Sequence, residues 1–291
     1  MKILLAMDTS SASQVALEEI TERPWPAGST FEVVSVVEPS HLWTTSEVAQ
    51  ETIRRAEQVV ERAVRELSSK GQAVTGTALS GDPKTVILDR ARSVGADFLF
   101  VGSHGVSAIT RFLLGNVAAT VLRYAPCSVE VVRARTRNQS RKVRLATDGS
   151  EHSEQAARSI AERPWPAGTE IRVLSAVELI LPPARALLEP PFVDSAFIES
   201  ARAEAMKRSQ DAIAGAMEIL SPTRLNVSES ISVLLDTSKA VILDESAKWG
   251  ADLIVLGSHG RHGVDRFLLG SVSEAVAMHA GCSVEVIREA A

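Results

Sequence analysis

The chain has 291 residues, of which 45% are hydrophobic and 23% charged, with a formal net charge of −5. This composition is typical of a globular protein, and its acidic balance argues against a nucleic-acid-binding surface, which is usually basic. No stretch reaches the about 20 apolar residues that a membrane span needs. Two cysteines do not make a disulfide framework, and the first apolar run stops at Asp8. We therefore predict a cytoplasmic protein without a signal peptide.

Apolar runs and helical patterns alternate along the first half. The predicted strands are residues 3–7, 31–37, 73–79, 98–101 and 128–132, and the predicted helices are residues 10–22, 47–69, 84–94 and 116–124. Nearly continuous apolar strands that alternate with helices indicate a parallel sheet covered on both faces. Such doubly wound sheets bind ligands at the carboxyl ends of their strands.

The second half repeats the first. ERPWPAG occurs at residues 22–28 and 162–168, and GSHG, RFLLG and CSVEV each recur at an offset of 155. A duplicated unit of this length is a domain, so we predict two domains, residues 1–137 and 138–291. The second copy holds additional residues, which we place in the Pro-rich segment 179–191.

Two features of the repeat have an open interpretation. The seam, residues 133–144, contains six basic residues. It is interpreted as a solvated linker, with a phosphate-binding or regulatory basic patch as the alternative. The duplicated tryptophans and cysteines are interpreted as packing residues rather than ligand or redox groups: Trp25, Trp165, Cys127 and Cys282.

A glycine-rich loop follows the fourth strand of the second half. Gly257-Ser-His-Gly260 is followed by nine residues and then by Gly270-Ser271, which opens a helix. Glycines allow a polyphosphate to approach the backbone, and a helix start favours an anion through its N–H groups and dipole. The spacing differs from GxGxxG and from GxxxxGK[ST], so we predict a phosphate-binding loop of another kind.

Asp148 follows the first strand of the second half, which borders the fourth strand in a doubly wound sheet. A carboxylate there can accept hydrogen bonds from ribose hydroxyls or an adenine amino group. The alternative is a helix N-cap, because Asp148 precedes the sequence GSEHSE.

The histidines and arginines in and after the GSHG loops give weaker indications of function. His104 and His259 are predicted to position the backbone near phosphate, without a metal, because only His262 stands near ligand spacing. Arg111 and Arg266 are interpreted as solvated loop charges, with a phosphate contact as the alternative. We predict no metal site formed by protein ligands.

The order of motifs resembles that of the universal stress protein family. It consists of an aspartate after the first strand, a serine-rich turn, GxxG, nine residues and G-[S/T]. The segment 266–287 is similar to that family almost throughout, and the resemblance covers nearly the whole chain. It implies a tandem α/β protein with two Rossmann-like (HUP-type) domains. Each would be a doubly wound parallel five-stranded sheet of strand order 3-2-1-4-5, and the two fifth strands would pair antiparallel within the chain.

The resemblance also implies ATP as ligand, usually with Mg²⁺ on its phosphates, and it implies which residues bind it. In the second half these are Ala146, Thr147, Asp148, Ala176 (or Val177), Leu256, Gly257, His259, Gly260, Gly270, Ser271 and Val272. Their equivalents in the first half are Ala6, Met7, Asp8, Val36, Val101, Gly102, His104, Gly105, Gly115, Asn116 and Val117. Asn116 departs from the family's Ser or Thr, which makes the first site doubtful, and Ala176 replaces the usual valine and loosens the second base pocket.

We therefore predict an ATP-binding regulatory protein of the stress response. The alternatives are a slow ATPase and a structural pairing module with empty pockets. No nucleophile, base or pair of metal-binding carboxylates is visible beside the loop, so we expect at most weak hydrolysis. The intact glycine motif argues against empty pockets. Beyond the internal domain pair, we expect a homodimer and an unknown protein partner, but neither nucleic acid nor membrane.

Overall fold

A computed structural model describes residues 1–38, 46–105, 114–135, 140–178, 195–234, 237–260 and 269–289. The first half contains β1 (Lys2–Met7), α1 (Ser11–Glu22), β2 (Thr30–Val37), α2 (Ser46–Ser69), β3 (Ala73–Ser80), α3 (Pro83–Val94), β4 (Phe98–Gly102), α4 (Asn116–Tyr124) and β5 (Ser128–Val132). The second half contains β6 (Lys142–Ala146), α5 (Glu151–Glu162), β7 (Glu170–Glu178), α6 (Ser195–Leu220), β8 (Asn226–Leu234), α7 (Ser238–Trp249), β9 (Leu253–Gly257), α8 (Ser271–His279) and β10 (Ser283–Ile287). The alternating order predicted for both halves is confirmed. The segment 179–191, Arg111, His262 and Arg266 lie outside the described residues.

The strands form one ten-stranded sheet in the order β3-β2-β1-β4-β5-β10-β9-β6-β7-β8. Within each half the strands are parallel and follow the expected order 3-2-1-4-5. The prediction of two sheets needs correction, because antiparallel pairing of β5 with β10 makes them continuous. This pairing removes the two unpaired edges that separate sheets would leave at the seam.

Hydrophobic layers cover both faces of the sheet and run through both halves. Leu5 and Leu145 face the layer formed with α1, α2, α5 and α6. Leu4 and Ile254 face the opposite layer, formed with α3, α4, α7 and α8. Because successive side chains of a strand point to opposite faces, both faces need apolar residues, which explains the continuous apolar runs. In the part of the chain that is described, no helix is long and apolar enough to cross a membrane.

Two buried carboxyl groups face each other where β5 pairs with β10. Glu130 and Glu285 are paired in the β5–β10 register, and both are fully buried. Arg23, from the first ERPWPAG copy, lies 2.8 Å from Glu130 and 3.5 Å from Glu285. Arg163, from the second copy, donates to Glu285 at 2.9 Å. The repeated ERPWPAG and CSVEV sequences therefore meet in one ion-pair cluster.

Burial governs the ionisation of this cluster. It raises the pKa of Glu130 to about 7, against the opposing effect of Arg23. Burial also disfavours ionised Glu285, but Arg163 and a hydrogen bond from Glu130 hold the pKa of Glu285 below its usual range. Glu130 therefore keeps its proton to a higher pH than Glu285 does.

The interpretation of the basic seam as a solvated linker was wrong for several of its residues. Arg141 and Arg144 are buried, with exposures of 4% and 1%. Arg141 pairs with Glu19, and Arg144 donates to a backbone carbonyl of α7 at 2.7 Å. Arg133 donates to the carbonyl of Ala277 at 2.7 Å. Arg133 and Arg141 therefore connect the two halves, whereas Arg144 bonds within the second half. Residues 136–139 lie outside the described part.

The duplicated tryptophans are packing residues, as expected. The indole N–H of Trp25 donates to the Ile20 carbonyl at 2.8 Å, and that of Trp165 to the Ile160 carbonyl at 2.9 Å. Each closes the turn after the first helix of its half. The duplicated cysteines are unbridged, and burial raises the pKa of their thiols to about 12 (Cys127) and about 11 (Cys282).

Candidate functional site

A cavity of about 460 Å³ lies at the carboxyl ends of β6, β7 and β9. This is where the winding of the second half reverses, because β6 lies between β7 and β9. The structure brings all the residues predicted for this half to its lining: Ala146, Thr147, Asp148, Ala176, Leu256, Gly257, His259, Gly260, Gly270, Ser271 and Val272.

Other lining residues were not predicted. Three of them, Ala205, Arg208 and Ser209, come from α6, and Ser209 shares a buried hydrogen bond of 2.9 Å with Ser175 of β7. The sequence signal that could have identified Ala205 and Ser209 is their i, i+4 spacing on one helix face. The remaining unpredicted residues are Ser153, Leu174, Ser175, Ser238, Ile242 and Ser273.

Helix α8 begins at the cavity without a side-chain cap. Its N-cap is Gly270, which makes no side-chain cap hydrogen bond, whereas the N-cap of α5, Ser150, accepts from a backbone N–H. The Gly270 N–H donates to the Ser258 carbonyl at 2.8 Å, and the Gly270 carbonyl accepts from Glu274. The first turn of α8 therefore presents backbone donors and the positive end of the helix dipole to the cavity, an arrangement that favours an anion.

The loop glycines have a packing role that the sequence interpretation missed. A Cβ on Gly257 would lie 2.5 Å from the backbone of His152 at the start of α5. A Cβ on Gly260 would lie 2.8 Å from the Asp148 carboxylate. The close approach of α5 to β9 therefore already requires Gly257. The argument that these glycines serve a ligand rather than packing is wrong for this residue.

Asp148 is not the N-cap of α5. That position belongs to Ser150, whose hydroxyl accepts from the Ser153 N–H at 3.3 Å. Asp148 Oδ1 accepts instead from the Ser150 N–H at 3.0 Å, while Oδ2 faces Gly260. The carboxylate is thereby held between the start of α5 and the glycine loop, on the wall of the cavity.

His259 is oriented by its neighbours. Its Nδ1 lies 3.1 Å from the Ser258 hydroxyl, and its ring centroid lies 5.2 Å from that of His152. Among the described residues, no group of three His, Cys, Asp or Glu side chains could hold a metal ion. His259 forms part of the cavity wall, beside the glycine loop.

The predicted site of the first half has the same framework. A Cβ on Gly105 would lie 2.9 Å from Asp8 Oδ2, and the Gly115 N–H donates to the Ser103 carbonyl at 2.8 Å. Helix α4 begins at Asn116 after the uncapped Gly115. The other predicted residues lie on the same strand ends, the loop after β4 or the first turn of α4: Ala6, Met7, Val36, Val101, Gly102, His104 and Val117.

These features define a tandem α/β protein in which two doubly wound domains share one sheet. A family model described as the universal stress protein family matches residues 1–133 and 139–288. The chain belongs to the universal stress protein family.

Relatives and solved structures resemble the chain over most of its length. A universal stress protein of Mycobacterium tuberculosis is 30% identical, over 85% of this chain and 79% of its own. One of Mycolicibacterium smegmatis is also 30% identical, over 91% of this chain and 82% of its own. The crystal structure of a universal stress protein from Archaeoglobus fulgidus has a TM-score of 0.65 at 20% identity, covering 99% of this chain and 98% of that one. A likeness at that identity supports the fold.

Proposed function

We propose that the second-half cavity binds ATP, with Mg²⁺ on the phosphates, and that the protein acts as a nucleotide-dependent regulator in the stress response. The observation that carries the proposal is the placement of two complementary groups on one cavity. The uncapped start of α8 suits a polyphosphate, and the Asp148 carboxylate suits ribose hydroxyls.

The cavity has the size and the apolar surface that a nucleoside needs. Its volume of about 460 Å³ lies within the range of about 300–1,000 Å³ that is usual for small-molecule sites. Leu174, Ala176, Ile242 and Leu256 give its wall apolar surface for a base. Arg208 lines the same cavity and adds positive charge that favours an anionic ligand.

The lining favours holding a nucleotide over hydrolysing it. Among the described lining residues, Asp148 is the one carboxylate and His259 the one imidazole. In the proposed pose Asp148 is engaged by the ribose, away from the γ-phosphate. Mg²⁺ would be held mainly by phosphate oxygens and water, with the Ser271 hydroxyl as an additional oxygen donor.

The test is to identify the nucleotide that leaves the protein when freshly purified chain is denatured. We expect ATP by mass spectrometry, and we expect nucleotide-stripped protein to take up added Mg·ATP during gel filtration. Stripped protein that remains folded but retains no ATP would contradict the proposal. If the released molecule is an unrelated ligand, the assignment of ATP to this cavity would be wrong and that ligand would take its place.

A further inference from the structure

The two halves differ in the residue that precedes the site aspartate. In the second half Thr147 begins a chain of hydroxyl contacts, because its Oγ1 accepts from the Gly149 N–H at 3.2 Å and lies 3.1 Å from Ser153 Oγ. Ser153 Oγ donates to the Ser150 carbonyl at 2.8 Å. Since a serine hydroxyl has one hydrogen, Thr147 must donate to Ser153.

The first half has Met7 at this position, and its serine bonds differently. Ser13, the third residue of α1 as Ser153 is of α5, donates its hydroxyl to Asp8 Oδ1 at 2.6 Å. Its oxygen also accepts the Asp8 N–H at 3.0 Å. The same Oδ1 accepts the Ser10 N–H at 2.9 Å, as Asp148 Oδ1 accepts its equivalent at 3.0 Å. The two surroundings thus differ in the direction of one serine hydroxyl.

We propose that Thr147 is a positioning residue that keeps the Ser153 hydroxyl off the Asp148 carboxylate, so that Asp148 Oδ1 accepts a hydrogen bond from a ligand ribose hydroxyl. The inference rests on the proposed nucleotide site and specifies its ligand class, nucleotides that carry ribose hydroxyls. A ribose hydroxyl at Asp148 competes with no Ser153 hydroxyl. At Asp8 it has to displace the Ser13 hydroxyl, which disfavours ribose recognition in the first half.

The difference lies in the protein's interior rather than at a mobile surface. Met7, Thr147, Ser13 and Ser153 all have exposures of 6% or less. Thr147 and Ser153 also line the cavity together with Asp148. Without Thr147, the Ser153 oxygen loses the hydroxyl that donates to it. Ser153 is then expected to exchange its bond to the Ser150 carbonyl for the arrangement of Ser13, whose oxygen accepts the aspartate N–H while its hydroxyl donates to the carboxylate.

The test compares Thr147→Val, which keeps the branched shape but removes the hydroxyl, with the double variant Thr147→Val/Ser153→Ala. Calorimetry on the full chain measures ATP and 2′,3′-dideoxy-ATP. We expect Thr147→Val to weaken ATP about tenfold, the size of one hydrogen bond to a charged group. Dideoxy-ATP, which has no ribose hydroxyl, should bind as it does to the wild type. Ser153→Ala in the same chain should restore ATP affinity, because no serine hydroxyl remains to compete.

Unchanged ATP affinity in Thr147→Val would overturn the proposal, as would equal losses for ATP and dideoxy-ATP. A crystal structure of Thr147→Val without nucleotide gives an independent result. We expect Ser153 Oγ within about 3 Å of Asp148 Oδ1, and an unmoved Ser153 would contradict the account. A wild type that binds no ATP would end the proposed function, while the crystal structure would still decide the movement of the serine.

Discussion

Replacing Glu130 by glutamine is predicted to remove a pH dependence of stability that arises where β5 pairs with β10. Burial raises the pKa of Glu130 from 4.5 to about 7. Arg23 and Arg141 oppose this rise, and the Glu285 and Glu19 carboxyl groups add to it. Between pH 4.5 and about pH 7 the folded state therefore binds more protons than the unfolded state. The free energy of unfolding should therefore fall as the pH rises through this window.

The size of the effect follows from the pKa difference. At about 1.36 kcal/mol per unit, a rise from 4.5 to about 7 corresponds to about 3 kcal/mol. Glutamine resembles the protonated carboxyl group and cannot ionise. The variant should therefore exceed the stability of the wild type by no more than about 1 kcal/mol near pH 5, and by up to about 3 kcal/mol near pH 8. Glu19 acts in another window: burial opposes its ionisation, but Arg23 and Arg141 lower its pKa to about 2, so its contribution is lost below pH 4.5.

Urea denaturation followed by tryptophan fluorescence measures the effect at both pH values. The matched control is Glu274→Gln. It also removes a carboxylate of the second half that pairs with an arginine of the first half, Arg123, but this carboxylate is partly exposed. An exposed pair contributes at most about 1 kcal/mol, so this control should show little change. A Glu130→Gln variant that is destabilised more at pH 8 than at pH 5 would show that Glu130 is ionised in the folded protein, and would refute the reasoning.

Further predictions concern the nucleotide sites. Calorimetry should resolve two unequal ATP affinities, and Asn116→Ser should bring the weaker first site closer to the second; two identical sites in the wild type would count against this. Gly260→Ala places a Cβ 2.8 Å from the Asp148 carboxylate and should weaken ATP about tenfold, whereas Gly281→Ala, with no atom within 4 Å of its added Cβ, should have no effect. Phosphate release under saturating Mg·ATP should stay far below the about 1–100 s⁻¹ of kinases. A rate of about one per second that is lost in Gly270→Val would instead indicate an ATPase.

Much of the fold could be predicted because its signals are local and occur twice. The runs at residues 98–101 and 253–256 are apolar at every position, as a strand buried on both faces requires. The recurrence of CSVEV indicated that the two fifth strands are equivalent, and satisfying the unpaired edge of each favours pairing β5 with β10. The antiparallel direction of that pairing was implied by the family resemblance. The site residues could be located for a similar reason, because they lie next to strand ends and helix starts.

Features that depend on distant partners could not be predicted. The sequence gives Arg141 and Arg144 the appearance of a charged linker, since a charge pattern does not reveal whether an acceptor lies nearby in space. Arg208 was missed because its contribution depends on where α6 lies after the inserted segment. The packing role of Gly257 was missed because it depends on the approach of α5 to β9, which only the folded chain shows.

The most direct test of the nucleotide site is calorimetric titration of Mg·ATP into the wild type, Gly270→Val and Gly115→Val. A Cβ on Gly270 would lie 3.0 Å from the Ser258 carbonyl oxygen, and one on Gly115 would lie 3.2 Å from His104 Cα. The two variants therefore carry similar strain in different halves, and thermal denaturation checks that both remain folded. The account predicts that Gly270→Val loses the tighter ATP site while Gly115→Val keeps it. A folded Gly270→Val that binds ATP as tightly as the wild type would contradict the assignment of ATP to this cavity.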